Sequence, residues 1–302
     1  SALAGSLDTL AVLLTDQKRY AEAEPLFREA VEMGVETLGS MHPLVGRFLS
    51  NYGFCRLGQG DLDEAEALYK QVISIVEVEQ GRRSLAYGNT LNQLGSIAYR
   101  RGRFEEAERL YRSAFEVLEE AVGPSHGKTV MASSNVATAK TRQNDREGAR
   151  EWYRTTVERA RDAPEPLPGL SQFLFNAALN DKALHRVDDA VKGFRRVAEL
   201  DGTESRRGLE ALTHLSHLMV DEERWQEASE SAGRAVKGWQ AAGGPEVWEL
   251  SALRARGLAL LGLGRKDEAR ALFEERLERI RGIPSLDPVW LERAEEDLAD
   301  AS

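Results

Sequence analysis

Cysteine is almost absent from this chain, which has one such residue, Cys55, among 302. A single cysteine excludes a disulfide framework and a zinc site built on thiolates, and it fits a reducing compartment such as the cytoplasm. Proline is also scarce, at nine residues. No stretch approaches the roughly 18 consecutive apolar residues of a membrane-spanning helix. With few β-branched runs as well, the composition favours a helical protein.

Basic residues are outnumbered, at 40 against 50 acidic ones, so the formal net charge is −10. This is the wrong sign for a protein that coats nucleic acid or an anionic membrane, since both would repel it. We therefore expect neither nucleic acid nor membrane as a partner.

An internal repeat fills the chain. The segment 20–27, Tyr-Ala-Glu-Ala-Glu-Pro-Leu-Phe, recurs in similar form at 62–69 and 104–111, and weaker copies follow. A period of this length is typical of repeat proteins and decides the fold class. One alanine marks each of seven copies, at steps of 38 to 42 residues: Ala23, Ala65, Ala107, Ala149, Ala190, Ala228 and Ala269.

Each copy has the pattern of two amphipathic helices joined by a tight turn. An aromatic residue follows the alanine by four positions in six of the seven copies. Small residues precede it by twelve positions, at Ala11, Gly53, Gly95, Ala137, Ala178, Ser216 and Gly257. Small side chains at both places allow the two helices to approach closely. Glycine or asparagine five positions before the alanine predicts a left-handed turn, at Gly60, Gly102, Asn144 and Gly264.

This spacing of small, alanine and aromatic residues resembles the tetratricopeptide repeat, and the 42-residue step of the first copies resembles its kinesin-light-chain-like variety. The loops 38–43, Leu-Gly-Ser-Met-His-Pro, and 122–127, Val-Gly-Pro-Ser-His-Gly, resemble the connector of that variety. The resemblance covers essentially the whole chain and implies an all-α, right-handed solenoid of about seven helical hairpins. Arg256 and Arg276 depart from the family pattern, because they stand where it has apolar residues.

We expect three segments along the chain. Residues 1–162 form a block of four regular repeats, 163–169 a proline-rich connector, and 170–302 three degenerate repeats with a capping helix. Three prolines within 163–169 would end the preceding helix and stiffen the connection. Asp287 and Pro288 form the N-cap and first-turn pair that should begin the C-terminal capping helix.

No motif for catalysis, a cofactor or a metal stands out. His42 and His126 are separated by two repeat periods, so we expect both to brace equivalent loops. His214 and His217 have a helical spacing that could hold a metal, but no third ligand is suitably placed. The glycines within 57–60 and 257–264 lack the Gly-Lys-Ser/Thr ending of a phosphate-binding loop. The chain is therefore predicted to be no enzyme and to use no cofactor or metal.

A row of polar residues two positions before the small residue is the candidate binding feature. This polar row reads Thr9, Asn51, Gln93, Asn135, Asn176, His214 and Ala255. An amide both donates and accepts hydrogen bonds, so it can pair with the main chain of any peptide. The resemblance implies the same, since this family grips extended peptides with asparagine ladders on its concave surface. The candidate groove residues are Asn51, Phe54, Asn92, Gln93, Asn135, Thr138, Asn176 and His214.

The alternative role of these amides is to brace neighbouring helices. The predicted function is a non-catalytic scaffold that binds an extended peptide or partner segment in its groove. A regulatory or sensory region of a larger signalling enzyme is the alternative hypothesis. The chain opens at Ser1-Ala2-Leu3 without a methionine, and we accordingly expect a piece of a longer protein.

Overall fold

The structure, a computed structural model, describes residues 2–163, 167, 169–244 and 246–301. These residues form fifteen α-helices and no β-strand. The chain divides into two compact units, Ser1–Pro168 and Gly169–Ser302, called here the N-terminal unit and the C-terminal unit.

The N-terminal unit is a stack of helices in which each one packs against its neighbours in sequence. Its members are α1 (Ala2–Asp16), α2 (Tyr20–Leu38), α3 (Pro43–Gln59), α4 (Leu62–Gln80), α5 (Leu85–Arg100), α6 (Phe104–Val122), α7 (Gly127–Arg142) and α8 (Arg146–Arg161). The odd-numbered helices are the first helices of the hairpins. Among them, α1 also contacts α3, and α5 also contacts α7.

The C-terminal unit is built in the same way and ends on a single helix that packs against α14. Its members are α9 (Leu170–Ala183), α10 (Val187–Asp201), α11 (Arg206–Asp221), α12 (Trp225–Ala242), α13 (Glu246–Gly262), α14 (Lys266–Arg281) and α15 (Pro288–Asp300). The side chain of Asp287 accepts a hydrogen bond from the Val289 amide, so the predicted cap of α15 is confirmed.

The repeating small residues lie where the two helices of a hairpin touch. All seven alanines of the repeat are completely buried, as are the aromatic rings of Phe27, Phe194 and Phe273. A side chain at Gly257 would place its Cβ 2.4 Å from the Phe273 ring, which is far inside contact distance. The aromatic residue of one helix therefore requires the small residue of the other.

Every repeat turns through a left-handed residue five positions before its alanine. The four predicted positions are confirmed, with φ between 65° and 86° at Gly60, Gly102, Asn144 and Gly264. The other three copies adopt the same conformation without glycine or asparagine, at Lys18, His185 and Glu223. These three turns carry a steric cost, because a Cβ disfavours this region of the backbone.

His42 and His126 are N-caps, which confirms their equivalent structural role. In each case the imidazole Nδ1 accepts a hydrogen bond from a backbone amide, that of Leu44 at 3.1 Å and that of Lys128 at 3.2 Å. A ring nitrogen that accepts is unprotonated, so each ring carries its proton on Nε2 when neutral.

The connector predicted at 163–169 falls mostly outside the described residues, which omit 164–166 and 168. It stays a prediction, as does the division into regular and degenerate repeats.

Candidate functional site

A groove of about 730 Å³ in the N-terminal unit contains four of the eight candidate residues, Asn51, Phe54, Asn92 and Gln93. Helices α3, α5 and α7 contribute its polar rim, and α4 contributes apolar side chains of Val72, Ile75 and Val76. These side chains are buried in the core that α4 shares with its neighbours. The groove therefore combines a rigid apolar surface with amides.

The side chain of Asn51 on α3 is hydrogen-bonded to Asp8 of the neighbouring hairpin. Its Nδ2 donates to both carboxylate oxygens of Asp8, at 3.0 and 3.2 Å, and Asp8 is only 3% exposed. Arg47 lies 3.6 Å from the same carboxylate. The Oδ1 of Asn51 makes no hydrogen bond within the described residues, so Asn51 offers an acceptor to a ligand.

Asn92 and Asn135 form a second bridge of the same kind. Nδ2 of Asn135 donates to Oδ1 of Asn92 at 2.9 Å, which joins α7 to α5. Asn92 keeps its amide donor, and Asn135 keeps its carbonyl acceptor. Asn135 and Thr138 line a separate hollow of about 280 Å³ beside Tyr99 and Arg100, so the structure does not bring them into the groove of Asn51.

Gln93 and Thr138 are also partnered within the N-terminal unit. Nε2 of Gln93 donates to the Tyr69 hydroxyl at 3.3 Å, and burial raises the pKa of that phenol well above its usual range. The hydroxyl of Thr138 donates to the Ser134 carbonyl at 2.9 Å. The amides thus brace helices, and those on the groove rim retain one side for a ligand.

Exposed apolar side chains and an unpartnered amide complete the groove. Phe54 on α3 is 52% exposed, and Met131 on α7 is 41% exposed. Asn89 on α5 lines the groove, and its side-chain amide makes no hydrogen bond within the described part of the chain. Arg47 and Lys128 add positive charge at the rim.

The remaining two candidates, Asn176 and His214, belong to the C-terminal unit. Oδ1 of Asn176 accepts a hydrogen bond from Gln172 of its own helix at 2.8 Å. The imidazole of His214 stacks on Phe194 with 5.1 Å between ring centroids and meets the edge of Trp248. His214 is therefore packed among aromatic rings.

His214 and His217 are both held in the neutral form. The pKa of each is lowered to about 4, mainly by burial and in addition by the positive charge of Lys182. Nε2 of His217 lies 2.9 Å from the Ser251 hydroxyl, and Nδ1 of His214 lies 3.5 Å from the Lys182 ammonium. Within the described residues no group of three His, Cys, Asp or Glu side chains is placed to bind a metal.

One polar cluster was not anticipated from the sequence. Arg276, one of the two residues that depart from the repeat pattern, is 1% exposed and donates from Nη1 to Asp297 at 2.9 Å. Arg254 donates to the same carboxylate from Nε and Nη2. An arginine at an apolar repeat position was the available signal, because a buried guanidinium requires a partner carboxylate.

Helical hairpins of constant spacing, each burying the same small and aromatic residues, define an all-α helical-repeat solenoid protein. The family model described as tetratricopeptide repeat matches residues 3–77, 87–162 and 207–281. This chain belongs to the tetratricopeptide-repeat family. The fold of that family is generally a scaffold for protein–protein interaction and is typically non-catalytic.

Solved structures share this fold at low sequence identity. The TPR-like repeats of a Podospora anserina protein assigned as a kinesin light chain have 18% identity and a TM-score of 0.57, covering 67% of this chain and 96% of that one. The C-terminal part of a TPR repeat-containing protein from Cytophaga hutchinsonii has 13% identity and a TM-score of 0.65, covering 96% and 99%. The repeats are thus of the kinesin-light-chain-like type in their fold. A comparison with curated proteins gave no match.

None of the helices in the described residues is both long enough and apolar enough to span a bilayer.

Proposed function

We propose that the groove of the N-terminal unit binds an extended segment of a partner protein. The observation that carries this proposal is the placement of three amides, Asn51, Asn89 and Asn92, along one apolar groove, each with a polar atom left unpaired. An extended peptide exposes alternating N–H and C=O groups, and these match an acceptor on Asn51 and a donor on Asn92.

The side chains of the bound segment would provide affinity through apolar contact. Phe54 and Met131 face solvent at the groove, where covering them would remove apolar surface from water. We propose accordingly that the chain itself is non-catalytic and acts by holding a partner. Asn135, Thr138, Asn176 and His214 lie outside this groove, so they have no role in the proposed contact.

The test is peptide selection followed by matched variants. Peptides selected from a random display library on the purified chain are titrated by fluorescence anisotropy against wild type, Phe54→Ala and Asn89→Ala. Both side chains lie on the groove, and neither is fully buried, so both variants should fold normally.

Leu13→Ala is the control, because Leu13 is 54% exposed on α1 and does not line the groove. We expect Phe54→Ala to weaken binding by about tenfold or more, which corresponds to a truncated aromatic contact. Asn89→Ala should weaken it by a few-fold, as one hydrogen bond is lost. Equal affinity of the selected peptides for wild type, Phe54→Ala and Asn89→Ala would show that the peptides bind outside this groove.

A further inference from the structure

A cavity of about 160 Å³ lies within the C-terminal unit among α11, α13, α14 and α15. Three arginines line it, together with a histidine, a serine, a valine and a tryptophan: Arg254, Arg276, Arg293, His217, Ser251, Val289 and Trp290. No carboxylate is among its described lining residues. The cavity therefore combines three positively charged side chains with the apolar surface of Val289 and Trp290.

The positive charge at this cavity exceeds the negative charge that compensates it. Asp297 accepts hydrogen bonds from both Arg254 and Arg276, so one carboxylate serves two guanidinium groups. Arg293 forms no ion pair within the described part of the chain. Three positive charges thus face one negative charge, and an incoming anion would restore the balance.

Donor atoms remain available at the two arginines that are held in place. Arg276 uses Nε for the Leu250 carbonyl and Nη1 for Asp297, which leaves Nη2 unused in the described structure. Arg254 uses Nε and Nη2 for Asp297, which leaves Nη1. Both side chains are fixed by these bonds, so their free N–H groups are oriented before a ligand arrives.

The pKa of the Arg276 guanidinium is lowered to about 10. Burial is the main cause, and the positive charges of Arg254 and Arg293 add to it against the opposing effect of Asp297. A side chain at 1% exposure has little water to compensate for this repulsion.

We propose that this cavity binds a phosphoryl group, with Arg254, Arg276 and Arg293 as its ligands. A phosphate dianion has oxygens on several sides and matches guanidinium groups that line one cavity from three helices, since arginine favours bidentate contact with such groups. The volume of 160 Å³ admits a phosphate with a short attached chain. The two sources of this chemistry are free inorganic phosphate and a phosphorylated serine side chain.

The experiment is isothermal titration calorimetry of the full chain at constant ionic strength, with inorganic phosphate in one arm and O-phosphoserine in the other. Constant ionic strength is required because screening alone changes surface electrostatics. Arg293→Gln removes one ligand without breaking an ion pair of the described structure. Arg270→Gln is the matched control, because Arg270 is exposed on α14 and pairs only with Glu274 at the surface.

We expect saturable binding of one phosphoryl group per chain, about tenfold weaker in Arg293→Gln and unchanged in Arg270→Gln. Tighter binding of O-phosphoserine than of phosphate would identify a phosphorylated side chain as the ligand, and the reverse order would identify the free anion. Absence of saturable binding in both arms would overturn the proposal. So would an equal affinity of Arg293→Gln and Arg270→Gln.

Discussion

Asn135 donates a hydrogen bond to Asn92 at 2.9 Å across a separation of 43 residues. The same separation joins Asn51 to Asp8 and Arg254 to Asp297. Within each unit these contacts link the first helix of one hairpin to the corresponding helix of the next, and α15 takes that place for Asp297. The polar contacts near the groove and those of the arginine cluster thus share one sequence separation, 43 residues.

Replacing Asn51 with alanine should destabilise the chain. The change leaves Asp8, which is 3% exposed, without its amide donor, and Arg47 is at 3.6 Å only a weak substitute. An unsatisfied buried acceptor costs about 1–3 kcal/mol in the free energy of unfolding. Urea denaturation measures this cost, with Asn89→Ala as the control expected to match wild type. An unaltered unfolding midpoint for Asn51→Ala would show that the Asp8 bond is unimportant.

Replacing Glu223 with glycine should stabilise the chain. Glu223 is exposed and has φ of 56°, in the left-handed region where a Cβ is strained. Relief of that strain exceeds the added flexibility of the unfolded chain, so we expect a gain of about 0.5–1 kcal/mol. Gly264→Ala, at φ 75° in the equivalent turn, should lose a similar amount. Thermal unfolding measures both changes, and shifts of the same sign would contradict the interpretation.

His214 should make stability depend on pH in weak acid. Its folded pKa of about 4 lies below the ordinary 6.5, so the unfolded chain takes up the proton first as the pH falls. The resulting stability is complete above pH 6.5 and is lost as the pH falls towards 4, by about 1.4 kcal/mol per pH unit for one such group.

His214→Phe removes this titration and keeps a ring among Phe194 and Trp248. We expect the variant to lose less stability than wild type between pH 7 and 4.5, measured by urea denaturation at each pH. His217 should maintain part of the dependence, because burial lowers its pKa to about 4 as well. Parallel curves for the two proteins would mean that His214 does not titrate in this range.

Replacing Asp297 with alanine should be more damaging than replacing Arg276. The first change leaves a buried guanidinium unpaired, at a cost of about 3–5 kcal/mol. Adding Arg276→Met to Asp297→Ala removes the buried charge and should recover part of that loss, which a double-mutant cycle in urea measures. Additive losses in the double variant would indicate that the two side chains are energetically independent.

Some features of the site could be recognised from the sequence and others could not. Phe54, Asn51 and Asn92 line one groove because helical spacing puts them on one side of their helices, and their role in binding stays a prediction. The left-handed turns at Lys18, His185 and Glu223 were missed because their residue types do not indicate this conformation. Their position five residues before the alanine would have revealed them.

The sequence by itself determined the helices, their pairing and the turns that carry glycine or asparagine. These depend on short-range spacing, such as that between the small, alanine and aromatic residues, which any single repeat contains. Only the tertiary structure decided which amides are engaged and where Arg276 finds its carboxylate. Such partners lie 21 to 43 residues apart, and a lateral shift of one position between packed helices changes which side chains meet. That shift arises from how whole helices pack, and no local pattern of residues encodes it.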